Sequence, residues 1–186
     1  MGGPSAARQG GGEVSAGGEQ SGLARNGSCE VGDVYLERVH HPSVEDLEEL
    51  ARYEEQVFGG VGLRSVDLAV VCEAGAIYRA WTVLPRTGRE LIGACQLLRT
   101  LDEPMTLYLV GFYVLPTWRS RGVGRRFLAA LLDELPRLQA SEIVLTVAPD
   151  NAAALTLYTG AGFAAAGAKP GFYGHGEDRL ILRYRR

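Results

Sequence analysis

Between Leu107 and Asp133 the chain reads LYLVGFYVLPTWRSRGVGRRFLAALLD, an apolar run, a basic glycine turn and a helical pattern in immediate succession. Tyr108 to Leu115 is almost continuously β-prone, broken only by Gly111, as expected of a strand buried on both faces, and Pro116 stops it. Phe127, Leu128, Leu131, Leu132 and Leu135 then recur at helical steps, so the spacing predicts a helix starting near Gly122. Between the two lie Arg119, Ser120, Arg121, Gly122, Val123, Gly124 and Arg125. Glycines let the backbone come close to a ligand, and the first N–H groups of a helix have no partner within it. An oxyanion can accept those bonds at the positive end of the helix dipole, and arginines add charge suited to a polyphosphate. The turn is no Walker loop, because no Lys-Ser or Lys-Thr follows the second glycine. Nor is it a dinucleotide fingerprint, because Phe127 stands where GxGxxG needs its third glycine.

The rest of the chain frames this unit. Its 186 residues, 46% apolar with formal charge −3, suit one folded domain, expected to be soluble and cytoplasmic. No 18-residue apolar run predicts a membrane span, and the first 30 residues lack the apolar block of a secretory signal. Ala6 occupies the place where myristoylation wants Ser or Thr. Cys29, Cys72 and Cys95 are widely spaced, and with three histidines, two of them adjacent, they make no zinc set, so no metal is expected. The charge balance offers no basic surface for nucleic acid. Residues 1–32 carry 10 of the 25 glycines and almost no large apolar residue, which predicts a disordered tail before a domain over residues 33–186.

Val34 to Val39 alternates as a half-buried first strand. Ser43 caps a helix with Asp46 three residues on, its apolar stripe being Val44, Leu47, Leu50, Ala51 and Val57 and its solvated acidic face Glu45, Glu48, Glu49, Glu54 and Glu55. A glycine break at residues 59–62 leads to a second short helix from Ser65 to Cys72. Residues 77–84 and 90–101 read as two strands of an antiparallel meander leading into the central strand. Glu142 to Val147 must run parallel to the central strand if the intervening helix is a right-handed crossover. Residues 152–160 form a short helix, and two closing strands flank the loop Gly171-Phe172-Tyr173-Gly174-His175-Gly176.

Arg-x-x-Gly-x-Gly after a buried strand, followed about 30 residues later by PDNAAALTLYTGAGF (residues 149–163), resembles the GCN5-related N-acetyltransferase (GNAT) superfamily over residues 34–186. The resemblance implies a mixed α/β (α+β), mostly antiparallel sheet whose central parallel strands splay apart to admit acetyl-CoA. It implies that residues 119–125 take the pyrophosphate and that the backbone of Phe112, Tyr113 and Val114 pairs with the pantetheine arm. Asn151 matches the asparagine contacting that arm, a residue that also suits a helix N-cap. Tyr158 matches the tyrosine that protonates the departing thiolate. Gly111 fits the bulge of the central strand, or a plain packing glycine. Polyamine acetyltransferases carry a catalytic glutamate where Val110 stands, so the proton must leave by another route. Glu54, Glu55, Glu103 and His175 are candidates by position. The implied activity is N-acetylation of a small-molecule amine such as an antibiotic, amino acid or polyamine-like metabolite, with a protein N-terminus as the alternative acceptor and a non-catalytic coenzyme A-binding module as the alternative class. Homodimerisation is left open.

Overall fold

The computed structural model describes residues 32–186. The glycine-rich tail expected over residues 1–32 lies, but for its last residue, outside the described residues. Seven strands form one sheet in the order β1-β2-β3-β4-β5-β7-β6. They are β1 (Val34–Arg38), β2 (Gly75–Leu84), β3 (Gly88–Arg99), β4 (Thr106–Val114), β5 (Glu142–Val147), β6 (Ala164–Lys169) and β7 (Arg179–Arg185), with helices α1 (Val44–Phe58), α2 (Ser65–Ala74), α3 (Val123–Asp133) and α4 (Ala152–Gly160). Every neighbouring pair is antiparallel except β4 and β5, as the crossover through α3 requires. No described helix is long and apolar enough to cross a membrane.

Adjacent residues on a strand face opposite sides of the sheet, and this alternation separates the helices into two layers. On β2, Tyr78 reaches Glu134 at the end of α3 (3.4 Å), while its neighbour Arg79 reaches Asp46 of α1 (2.7 Å). On β4, Phe112 stacks on Phe127 of α3 (ring centroids 4.4 Å apart), while Tyr113 meets Phe58 of α1 edge-on at 5.9 Å. The α3 face is closed by Val123, Phe127, Leu128 and Leu131, all buried, with Leu135 just past the helix end. That stripe matches the spacing seen in the sequence.

Helix α1 begins as its first residues dictate. The Ser43 hydroxyl accepts from the Asp46 N–H at 3.1 Å, and the Asp46 carboxylate accepts from the Ser43 N–H at 3.1 Å, a complete capping box. Two details depart from the expected amphipathic pattern. Val44, placed on the apolar stripe, is exposed, and Glu54, placed on the acidic face, is among the most buried residues of the chain at 2% exposure. Glu54 lies seven residues after Leu47 and four after Leu50, so helical geometry sets it on the buried side whatever its charge.

Candidate active site: a forked strand pair between a glycine turn and a buried carboxylate

Strands β4 and β5 pair in register from Thr106–Glu142 to Leu109–Leu145, and there the ladder stops. Strand β4 runs on to Val114 and β5 to Val147, so beyond Leu109 the two diverge. The divergence has a local cause. On the other side of β4 the register with β3 shifts, Leu97 opposing Leu109 and Gln96 opposing Gly111, which leaves Val110 as the extra residue of a bulge. A bulge bends its strand and increases local twist, turning β4 away from β5. The bulge expected at Gly111 is thus centred on Val110 beside it. The backbone of Phe112, Tyr113 and Val114, paired on one edge with β3, presents its other edge to the fork.

The glycine turn closes the open end of the fork. Gly122 is the N-cap of α3 with φ 74°, Ser120 has φ 60°, and no side chain caps the helix. The first bond of the helix is Arg126 N–H to Gly122 C=O at 3.3 Å, so the preceding N–H groups of the first turn have no helical acceptor. A Cβ at Gly122 would meet nothing within 4 Å, so the approach to the helix end is open. A Cβ at Gly124 would lie 3.6 Å from Val114 Cγ2 and 3.7 Å from Leu157 Cδ2, so the turn, the end of β4 and α4 converge on this residue. Arg121 and Arg125 are exposed, and the Arg121 guanidinium lies 5.4 Å from the centre of the buried Trp118 ring. Arg119 is partly committed elsewhere, since its Nε donates to the Val114 carbonyl at 3.0 Å and pins the strand end to the turn. A diphosphate fits this uncapped, arginine-flanked helix end, and the strand edge in the fork fits an extended amide-bearing arm.

Asn151 and Tyr158 stand at opposite ends of α4. The Asn151 carbonyl oxygen Oδ1 accepts from the Ala154 N–H at 3.0 Å, so this residue is the N-cap of the helix. Tyr158 packs 6.3 Å from Phe112 and 5.4 Å from Phe163, on the α3 side of the fork. Burial, and then the nearby Cys95, push its phenol well above the usual range, so it holds its proton at neutral pH.

The opposite face of the fork carries a cluster that motif reading did not assemble. Gln96 Nε2 donates to Glu54 Oε1 at 2.8 Å, and the Leu63 N–H donates to Glu54 Oε2 at 3.2 Å. Burial raises the Glu54 carboxyl above its ordinary range, and the Leu63 and Gln96 bonds only partly oppose this. The Tyr113 hydroxyl and Gln96 Oε1, both buried, have no hydrogen-bond partner. Earlier on β4, at the paired end of the fork, Tyr108 shares a hydrogen bond with Thr146 of β5 at 3.0 Å. Its phenol is pushed up to about 12, first by burial and then, after the opposing effect of Thr146, by Tyr173 from the β6–β7 loop. The other candidates for proton acceptor are elsewhere. Glu55 is exposed, and His175 sits on the exposed β6–β7 loop. Glu103 lies before β4, at the end away from the fork, held low by Arg183 at 2.6 Å and by Thr106 at 3.0 Å. No group of three or more metal-ligating side chains occurs among the described residues.

The sequence matches the family model described as Acetyltransferase (GNAT) family over residues 73–163. The ribosomal protein bS18-alanine N-acetyltransferase of Salmonella typhimurium is 32% identical over 103 residues, covering 53% of this chain and 68% of that protein. This chain belongs to the GNAT acetyltransferase family. N-alpha-acetyltransferase RimI of Mycobacterium tuberculosis is 36% identical over 100 residues, covering 53% of this chain and 61% of that one. The chain spans between 38% and 68% of the length of the curated relatives it matches. The GNAT fold is shared with the crystal structure of the Escherichia coli ribosomal-protein-S18-alanine N-acetyltransferase, at TM-score 0.64 and 21% identity over 82% of this chain and 93% of that one.

Proposed function

We propose that this GNAT chain transfers the acetyl group of acetyl-CoA to a primary amine, and that the amine is the α-amino group of a polypeptide. The fork between β4 and β5 carries the first part. It offers a free strand edge between an anion-binding helix end and a buried, protonated phenol, and thioester aminolysis needs all three. The N–H groups at the start of α3, with Arg121 and Arg125 beside them, hold the pyrophosphate. The strand edge from Phe112 to Val114 pairs with the pantetheine amides and aims one N–H at the thioester carbonyl, where negative charge develops. When bound, acetyl-CoA supplies the activated acyl group. The Tyr158 hydroxyl, kept protonated by its burial, delivers a proton to the departing thiolate.

The acceptor is drawn from the relatives. The two with a stated activity, at 32% and 36% identity, are named for acetylating alanine of a ribosomal protein and an N-alpha amine. This observation favours a polypeptide N-terminus over the small-molecule amine implied by motifs alone. The test is thiol release from acetyl-CoA with a panel of an alanine-initiated hexapeptide, free alanine, ethanolamine and spermidine. Turnover greatest with the peptide supports the proposal; turnover greatest with a small amine replaces it with that acceptor. Calorimetric binding of coenzyme A without turnover on any of them marks the chain as a binding module.

A further inference from the structure

A carboxylate with almost no exposure, lying against the glycine beside a strand bulge, needs a reason, because burying it costs more than its two hydrogen bonds return. Two glycines are spent on placing Glu54. A Cβ at Gly62 would lie 2.8 Å from the backbone C and O of Glu54, so only glycine lets the α1–α2 connection lie close enough for the Leu63 N–H to reach Oε2. A Cβ at Gly111 would lie 2.3 Å from Gln96 Oε1 and 4.0 Å from Glu54 Oε1, so only glycine lets the Gln96 amide come down on the bulge. Here β4 turns away from β5, and beside it Gln96 Oε1 and the Tyr113 hydroxyl are buried without partners.

We propose, resting on the transferase reading above, that Glu54 is the base that removes the proton of the acceptor amine, through a water held between Gln96 Oε1 and the Tyr113 hydroxyl. The ammonium passes one proton through that water to Glu54, which becomes a carboxylic acid. The freed nitrogen lone pair forms the C–N bond, and the C–S bond then breaks. Tyr158 gives its proton to the thiolate, the phenolate so formed takes the second proton from nitrogen, and Glu54 later releases its proton to solvent. The net change is ammonium plus thioester to amide, thiol and one proton. The groups that act on the relay from its own face of the sheet are Glu54 and Tyr53 of α1 and Arg79 of β2, the last engaged by Asp46 at 2.7 Å and Glu49 at 3.5 Å, while Cys95 of β3 acts from the α3 face beside Tyr158. Among the described residues, no second carboxylate acts on Glu54 or Tyr113. The raised affinity of Glu54 for a proton makes it a better acceptor than an exposed glutamate.

The test uses the full chain and whichever acceptor of the panel releases most thiol. Glu54→Gln should lower kcat about a hundredfold or more at neutral pH while leaving KM for acetyl-CoA within about twofold. The defect should shrink severalfold as the pH is raised above the pKa of the amine, because the acceptor then arrives neutral. A merely structural role for Glu54 predicts a defect of the same size at every pH. A variant that keeps kcat within about threefold of wild type, or whose defect ignores pH, overturns the proposal. Should Glu54→Gln fail to fold by circular dichroism, Tyr113→Phe decides. It keeps the ring and should lose about tenfold or more in kcat with KM for acetyl-CoA unaltered, and an unaltered kcat overturns the relay. A wild-type chain that acetylates none of the panel defeats the transferase reading itself, whereas an active wild type matched by Glu54→Gln defeats this proposal alone.

Discussion

Replacing Gly93 with alanine should damage the molecule far more than a single methyl suggests. Gly93 opposes Val114 in the β3–β4 ladder and does not have the positive φ that would reserve the site for glycine, so the penalty is steric. A Cβ there would stand 2.0 Å from the Tyr113 carbonyl oxygen and 3.2 Å from Val114 Cα. Real contacts of this kind stay beyond 3.0 Å, so β3 and β4 must part by about 1 Å. The Leu115 N–H to Ile92 C=O bond, now 2.9 Å, and its neighbour across Gly93 would then exceed hydrogen-bonding range. Two buried ladder bonds at about 1–2 kcal/mol each, offset by ~0.4–1 kcal/mol from the stiffer unfolded chain, give a net loss of about 1–3.5 kcal/mol. The same displacement moves the strand edge from Phe112 to Val114, so coenzyme A affinity should fall as well. Urea unfolding and calorimetric titration of the folded variant measure the two effects. A stability change under about 0.5 kcal/mol would refute the close approach of the two strands.

Tyr158→Phe should bind coenzyme A as wild type does and lower kcat about a hundredfold or more, read by steady-state thiol release; an unaltered kcat would make Tyr158 a packing residue only. Ser43→Ala breaks the capping box of α1 and should cost about 1 kcal/mol in urea unfolding with little effect on coenzyme A affinity, since the cap lies at the far end of the helix from Phe58. Glu54 has a folded-state pKa above its ordinary 4.5, so its contribution to stability is full below that pH and is lost as pH rises through the higher folded value. Glu54→Gln should remove that part of the pH dependence, so that wild type loses stability relative to the variant as pH rises above about 4.5, as chemical denaturation across pH would record. Glu103→Gln, at the end of β4 away from the fork, should leave turnover unchanged, and a large loss would restore Glu103 as a candidate base.

Local chemistry was legible residue by residue. The α3 stripe, the Ser43 cap, the order of the elements and the strand–turn–helix follow from spacings within a dozen residues, because periodicity and capping are properties of contiguous chain. The spacing of the two motifs also sufficed to recognise the family, and Asn151 and Tyr158 fell on the helix that their separation implied. Strand ends shifted by one or two residues, as in β2, which begins at Gly75 rather than Ile77, because pairing with β3 extends the ladder beyond the apolar run.

What the linear sequence could not decide was what its charges meet. Glu54 and Glu55 are adjacent and chemically identical, yet one is sealed against Gln96 and the other faces solvent. The difference is a 100° rotation on α1 combined with the packing of that helix across β3 and β4. Gln96, in the apolar run of β3, carried no motif at all, and Tyr113 drew notice only for its backbone. Their convergence on Val110 and Gly111 depends on a register shift between β3 and β4, which is set by pairing over the whole ladder. Sequence determined the elements and the family. Only the tertiary structure, by bringing an α1 carboxylate onto a bulge 56 residues further along the chain, supplied a proton acceptor where the central strand offers valine.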